Sequence, residues 1–313
     1  MTKLQKPDYA YMNGKITPWD DAVLHIGCEA VTRGLNVFEG IKGYWNIDNS
    51  FGIVFLEKHY KRLIRSAKLL HIPFPMTFEQ YEDAVFQLFG KLLANGKDMW
   101  ARTTLYVTEG HWGEGTKADL VITAYHLDKS VPEPIDIGVS TWQRSSDVSL
   151  PARIKTSTNY QVGRLARIEG RSRNYSDMIL LNNQGRVAEA TGSCVLMVRD
   201  GVIYTPPSTE GALESITLDF VESLANTLKI PFFRRPIDRT ELLIADELCI
   251  CGTLAELIPI VSIDGNEMDS YGPIFSQIRN KFFKIVRGEE SDPGFEVSFV
   301  PEKYFKKEIA MQI

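Results

Sequence analysis

The sequence predicts an α+β chain of two domains. Strand patterns and helix patterns are mixed through the first 128 residues, and the second half is richer in β patterns. Between them KSVPEPIDIG, residues 129–138, carries two prolines and reads as a linker. At 313 residues the chain is long enough for two ordinary domains, each with its own core. The expected division is a small α+β domain over 1–128, a linker over 129–138 and a large domain over 139–313.

In chain order, AYMNGKITPWDDAVL reads as a hairpin, because Asn13-Gly14 between apolar flanks is the strongest short turn signal. GLNVFEGIKGYW and FGIVFL read as further strands. A helix follows in LEKHYKRLIRSAKLLHI, with Leu56, Tyr60, Leu63, Ala67 and Leu70 on one face. The next helix opens with a Thr77–Gln80 capping box and carries the stripe Phe78, Tyr81, Val85, Leu88 and Leu92. MWARTTLYVTEG and ADLVITAYHL complete the first domain as strands.

Beyond the linker, DMILL is a strand, and RVAEATGSCVLMVRDGVIYTPP holds a second hairpin at Asp200-Gly201. Ile216, Phe220, Leu224 and Leu228 set a helix over about Ser215–Lys229. DELCICG is a strand that stops at Gly252-Thr253, PIVSIDGNEM is a further hairpin, and Ile274, Ile278, Phe282 and Ile285 mark a late helix.

Composition narrows the function classes. Hydrophobic residues at 44% and charged residues at 24% match a soluble globular protein. A net charge of −5 argues against nucleic acid or an anionic membrane as main partner. MTKLQKPDYA has no apolar core of signal length, and no run reaches the roughly 18 apolar residues of a membrane span, so cytoplasm is the expected compartment. Cys28 and Cys194 stand alone, Cys249 and Cys251 share a strand face, and the five histidines are scattered. That spacing predicts buried free thiols and no metal site.

Lys155 stands in ARIKTSTNYQ among small hydroxyl residues, compatible with an amine held partly desolvated for covalent work, and equally with a solvated loop lysine. Glu189 in GRVAEATGSC ends an alternating run before a Thr-Gly break, where it can face a cavity and stabilise a cation, or simply lie exposed. Ser215 and Thr217 open a helix whose N-terminus suits a phosphate, although serine is also a plain N-cap. Gly252-Thr253 could add a hydroxyl and an amide, and Arg62 a fixed charge.

Taken together, these residues lie in a sequence that resembles the class IV aminotransferases, the pyridoxal-phosphate enzymes of fold type IV, closest to the branched-chain amino acid aminotransferases. The resemblance runs in order through YMNGKITPWDDAVLH, NVFEGIKGY, HYKRL, ARTTLYV, IKTSTNY, GRVAEATGS, DGVIYTPP, ESITLD and ADELCICGTLAELIPIVSIDG. It implies a small α+β domain, a larger β-rich domain with flanking helices, and an enzyme moving an amino group from a donor amino acid or amine to a 2-oxo acid. Lys155 matches the lysine that carries pyridoxal 5'-phosphate and then shuttles the α-proton. Tyr160 matches the tyrosine near the cofactor's phenolic oxygen, and Glu189 the carboxylate beside its pyridine nitrogen. Arg62, Ile216, Thr217 and Thr253 match the phosphate cradle, to which Ser215 still offers its backbone N–H, and Leu213 matches the residue packed on the ring. Phe38, Arg102, Thr253 and Leu254 fall on the substrate side. A homodimer is implied as well.

The substrate side departs from the branched-chain pattern. Arg33 stands where the pattern has a tyrosine before the glycine preceding NVFEG, and Trp100 where a tyrosine helps hold the substrate carboxylate. On an alternating strand Trp100, Arg102 and Thr104 share a face. Arg33 with Arg102 would favour an acidic substrate, unless Arg33 pairs with Glu29 or Asp48. Ala190, Cys194 and Ser215 are smaller departures. The competing readings are an aminodeoxychorismate-type lyase, an (R)-amine or D-amino-acid transaminase, and a binding protein without catalysis.

Overall fold

A computed structural model of the chain describes residues 5–74, 76–268 and 272–305. They form two units. One takes the chain to Ser130, the segment Lys155–Thr158 and the chain from Ile285 on; the other takes Val131–Ile154 and Asn159–Lys284. The division is thus discontinuous along the chain, unlike the single break expected at 129–138. Pro132 and Pro134 do interrupt the chain, but Ile135 already begins a strand and Ile137 is fully buried.

The first unit is a seven-stranded antiparallel sheet with helices. Its elements are β1 (Tyr9–Met12), β2 (Lys15–Pro18), α1 (Glu29–Thr32), β3 (Asn36–Trp45), β4 (Phe51–Val54), α2 (Leu56–Leu69), α3 (Phe78–Leu92), β5 (Asp98–His111) and β6 (Glu114–Leu127). The strand order is Val297–Phe299, β4, β3, β5, β6, β1, β2. Asn13 and Gly14, with φ of 54° and 72°, form the expected two-residue turn, and Met12 faces Lys15 across it. The Thr77 capping box is present: Gln80 N–H donates to Thr77 Oγ1 at 3.4 Å and Thr77 N–H to Gln80 Oε1 at 2.9 Å. Tyr44, Phe51, Leu63, Leu88, Phe89 and Met99 are buried in the core.

That core has a charged centre. Glu39 of β3 is fully buried, and Arg62 of α2 grips it at both ends, Nε to Oε1 and Nη2 to Oε2, each at 2.7 Å. His59 Nδ1 meets the same Oε2 at 2.7 Å. Burial pushes the Glu39 carboxyl up, but the Arg62 charge and the bonds from Arg62 and His59 outweigh it and hold it at about 2. Burial pushes the His59 imidazole down, against the pull of Glu39, with Arg62 and Lys155 acting in the same downward direction. His59, Arg62 and Ser66 therefore make the buried face of α2 polar beside its Leu56, Leu63 and Ala67 stripe.

The second unit is a nine-stranded mixed sheet. Its elements are β7 (Ile135–Gln143), α4 (Gln161–Ser172), β8 (Asp177–Leu181), β9 (Val187–Ala190), β10 (Cys194–Arg199), β11 (Val202–Thr205), α5 (Ile216–Thr227), β12 (Phe232–Arg234), β13 (Glu247–Gly252), β14 (Glu256–Ile263) and α6 (Pro273–Val286). The order is β12, β11, β10, β13, β14, β7, β8, β9, with the short strand Asn266–Glu267 on β14. Asp200 and Gly201, with φ of 51° and 76°, turn β10 into β11 as expected. Helix α4 is absent from the sequence reading. It needs two glycines: a Cβ on Gly163 would stand 2.5 Å from the Thr191 carbonyl oxygen, and one on Gly170 would stand 2.8 Å from the Met178 side chain. Among the described residues no helix is long and apolar enough to cross a membrane.

Two predictions follow from these contacts. Replacing Gly163 by Ala improves helix propensity by roughly 0.5–1 kcal/mol but overpacks a backbone contact, which costs about 1–3 kcal/mol, so denaturant unfolding should show net destabilisation. A variant as stable as the parent would show that α4 can move off Thr191. The second concerns pH. Both folded-state values are depressed, so the stability they contribute is present above the unfolded values and is lost as pH falls, first below 6.5 for His59, then from 4.5 toward about 2 for Glu39. Glu39→Gln should cost about 3–5 kcal/mol at pH 7 by leaving the Arg62 guanidinium buried without its carboxylate, and should make the acid limb of the stability profile shallower. An acid limb of unchanged slope would contradict this.

Candidate active site

In the first unit the candidate residues gather around one aromatic ring. Phe38 on β3 is buried, and its N–H donates to the Lys155 carbonyl at 2.8 Å. The Lys155 N–H donates to Ser66 Oγ of α2 at 3.1 Å, so the lysine backbone is held on both sides. Its Nζ lies 4.9 Å from the centre of the Phe38 ring, and the Arg102 guanidinium lies 3.7 Å from the same centre. Arg102 Nη2 also donates to Ser157 Oγ at 2.8 Å, and Ser157 Oγ donates to Asn36 Oδ1 at 2.7 Å.

Strand β5 alternates as expected. Trp100, Arg102 and Thr104 are half-buried, while Met99, Ala101, Thr103 and Leu105 between them are buried, so the first three share a face. Trp100 stacks on Tyr125 with ring centres 5.8 Å apart and planes at 24°. Its Nε1 lies over Gly40, where a Cβ would come within 3.1 Å. Arg62 belongs to this unit too, with two of its nitrogens given to Glu39.

Arg33 does not share in that group. Its Nη1 donates to Glu29 Oε1 at 3.0 Å and its guanidinium stacks over Trp112 at 4.2 Å. Asp48, the other carboxylate considered for it, bonds Ser50. The Arg33–Glu29 pair is the alternative that the sequence set against an acidic substrate.

In the second unit Glu189 of β9 is buried with both oxygens engaged. Oε2 accepts the Leu213 N–H at 2.9 Å and Oε1 faces Arg144 Nη2 at 3.2 Å. Arg144 is itself buried and is fixed by two carbonyls, donating from Nε to Gly211 at 3.2 Å and from Nη1 to Asn159 at 2.9 Å. This side chain went unread in the sequence, where it is one more arginine after a strand. Its clue is position, since it directly follows β7.

Tyr160 caps α4, and its ring lies beside Gly192, where a Cβ would stand 4.0 Å from Cε1. Ser215 is the N-cap of α5, its hydroxyl accepting the Leu218 N–H at 3.2 Å, with Ile216 and Thr217 buried in the first turn. Thr253 and Leu254 form the turn from β13 to β14, Thr253 half-buried and Leu254 exposed. The preceding Gly252 lies against Gly192 and Ser193, so this turn adjoins the break that follows Glu189. All four cysteines are free and buried.

The first unit thus offers an amine over an aromatic face, and the second a carboxylate bonded by an arginine and an amide, together with a helix N-terminus bearing hydroxyls. Comparison with known proteins identifies the family. The family model of amino-transferase class IV matches residues 36–263. The branched-chain-amino-acid aminotransferase of Escherichia coli K12 is 32% identical over 301 residues, covering 92% of this chain and 96% of that protein. Among solved structures, the branched-chain aminotransferase of E. coli superposes with a TM-score of 0.90 at 30% identity, over 95% of this chain and 100% of that one. The PLP form of the Thermobaculum terrenum branched-chain aminotransferase gives 0.86 at 34% identity, again over 95% and 100%. The span matched by the family model includes Phe38, Arg62, Arg102, Lys155 and Glu189, and the chain belongs to the class IV aminotransferase family.

Proposed function

We propose that this transaminase moves the amino group of a branched-chain amino acid to a 2-oxo acid, with Lys155 as its catalytic residue. The observation that carries the reading is the Phe38 group, where a backbone-clamped lysine amine and an arginine meet on one ring. As a class IV aminotransferase the chain works with pyridoxal 5'-phosphate, which supplies, when bound, an electron sink for the pair left as the substrate's α-proton departs.

The residues present fit that group. A Cβ on Gly192 would meet only Tyr160 Cε1, at 4.0 Å, and Glu189 is bonded by the Leu213 N–H and Arg144, which would hold its carboxyl to face a protonated ring nitrogen. Ser215, Ile216 and Thr217 at the start of α5, with Thr253 and Arg62, would hold the phosphate; Leu213 would pack on the ring and Tyr160 meet its phenolic oxygen. Lys155 accepts the α-proton as a base and returns it, aided by the small neighbours Thr156, Ser157 and Thr158. Arg102 binds the substrate carboxylate, with Trp100, Phe38 and Leu254 around the side chain. Arg33, already met by Glu29, reads no substrate charge.

The chain works as a homodimer in the cytoplasm in this reading. Ile26 and Trp112, 74% and 79% exposed, offer apolar surface for a second copy. Four unpaired cysteines fit a reducing compartment.

The test adds single donors to the purified holoenzyme without acceptor and follows its visible band. L-leucine and L-glutamate should remove the band, while D-alanine and an (R)-amine should leave it. Lys155→Ala should lower turnover by about 10²–10⁴-fold. A band shifted by D-alanine or the (R)-amine instead would move the assignment to that class, and pyruvate released without an acceptor would move it to the lyase.

A further inference from the structure

Asn36, Ser157 and Arg102 form a hydrogen-bonded line whose polarity can be read without ambiguity. Asn36 Nδ2 donates to the Gly34 carbonyl at 3.1 Å, which turns its Oδ1 toward Ser157. That oxygen only accepts, so the Ser157 hydroxyl donates to it at 2.7 Å, with the Ser157 N–H behind at 3.4 Å. A guanidinium only donates, so Ser157 Oγ must accept from Arg102 Nη2 at 2.8 Å. Every hydrogen in the line has one place to go.

The consequence falls on Arg102. Its face is fixed on the Phe38 ring at 3.7 Å and one edge is fixed by Ser157. A planar group held by a face and an edge has its direction set before any carboxylate arrives, so the rotamer freedom that binding would remove is already gone. Ser157 also lies two residues past Lys155, whose carbonyl is bonded to Phe38. One four-residue segment, Lys155–Thr158, therefore holds both the amine that meets the substrate's α-carbon and the hydroxyl that aims the carboxylate anchor.

We infer that Ser157 and Asn36 are positioning residues that aim Arg102 and so make the enzyme select acids over uncharged amides of the same shape. This rests on the reading of Arg102 as the carboxylate anchor. The segment's hydroxyl is as much a specificity determinant as the arginine itself.

The test measures binding of 4-methylpentanoate and of its amide, 4-methylpentanamide, to the holoenzyme by calorimetry, each variant first checked for its visible band. Ser157→Ala should weaken the acid by about tenfold, the loss of one charged hydrogen bond, and the amide by less than about twofold. Ser157→Thr, which keeps the hydroxyl, should retain acid binding, and Asn36→Ala should reproduce the split from the other end. Acid and amide weakening together would overturn the inference by making Ser157 merely structural. An acid unaffected by Ser157→Ala, while Arg102→Ala abolishes the preference for acid over amide, would also overturn it and leave the anchor reading intact. If Arg102→Ala keeps that preference, the anchor reading and the inference fall together.

Discussion

The Lys155 backbone donates to Ser66 of α2 at 3.1 Å and accepts from Phe38 of β3 at 2.8 Å, and the proposed chemistry depends on these two bonds. A lysine side chain carries about 2 kcal/mol of rotamer entropy, so it reaches a fixed target often only if its root is fixed. The clamp supplies that root. It also accounts for the grouping of Lys155–Thr158 with the first unit although the chain on either side belongs to the second. Where the chain enters and leaves this segment, Asn159 Nδ2 donates to the Ile154 and Pro151 carbonyls, each at 2.9 Å, and closes the base of the loop.

Each unit holds a buried carboxylate against a buried arginine, and the two pairs differ in geometry. Glu39 and Arg62 meet through two parallel bonds, which fixes the plane of the guanidinium as well as its position. Glu189 instead shares its oxygens between Arg144 and one backbone N–H. Buried pairs of this kind add little net stability over a well-packed apolar core, yet breaking one is costly. Their value here is orientation, since each charged group is held so that it cannot turn away.

The sequence made some parts of this legible and hid others for physical reasons. Asn13-Gly14, Asp200-Gly201 and the Thr77 box were readable because each is a local signal with a local cause. Helix α4 was not, because Gly163 and Gly170 look like breakers until their neighbours Thr191 and Met178 are in place. Trp100 and Arg102 fell on one face as alternation requires, and Lys155, Tyr160 and Glu189 were named through the resemblance. Arg144 and Asn36 were invisible as functional candidates, and Ser157 was legible only as a small neighbour of Lys155, since the partners of all three are distant in sequence and their residue types are ordinary. Glu39 carried a clue that went unused: a charge inside the apolar run NVFEGI is buried only when paired.

The most direct measurement is chemical. The holoenzyme would be reduced with borohydride, which locks the cofactor onto whichever lysine holds it, then digested and mapped by mass spectrometry. The account predicts the pyridoxyl group on Lys155 alone, in the peptide that also carries Ser157 and Tyr160. The same group on any other lysine would contradict it, and the clamp by Phe38 and Ser66 would then need another purpose.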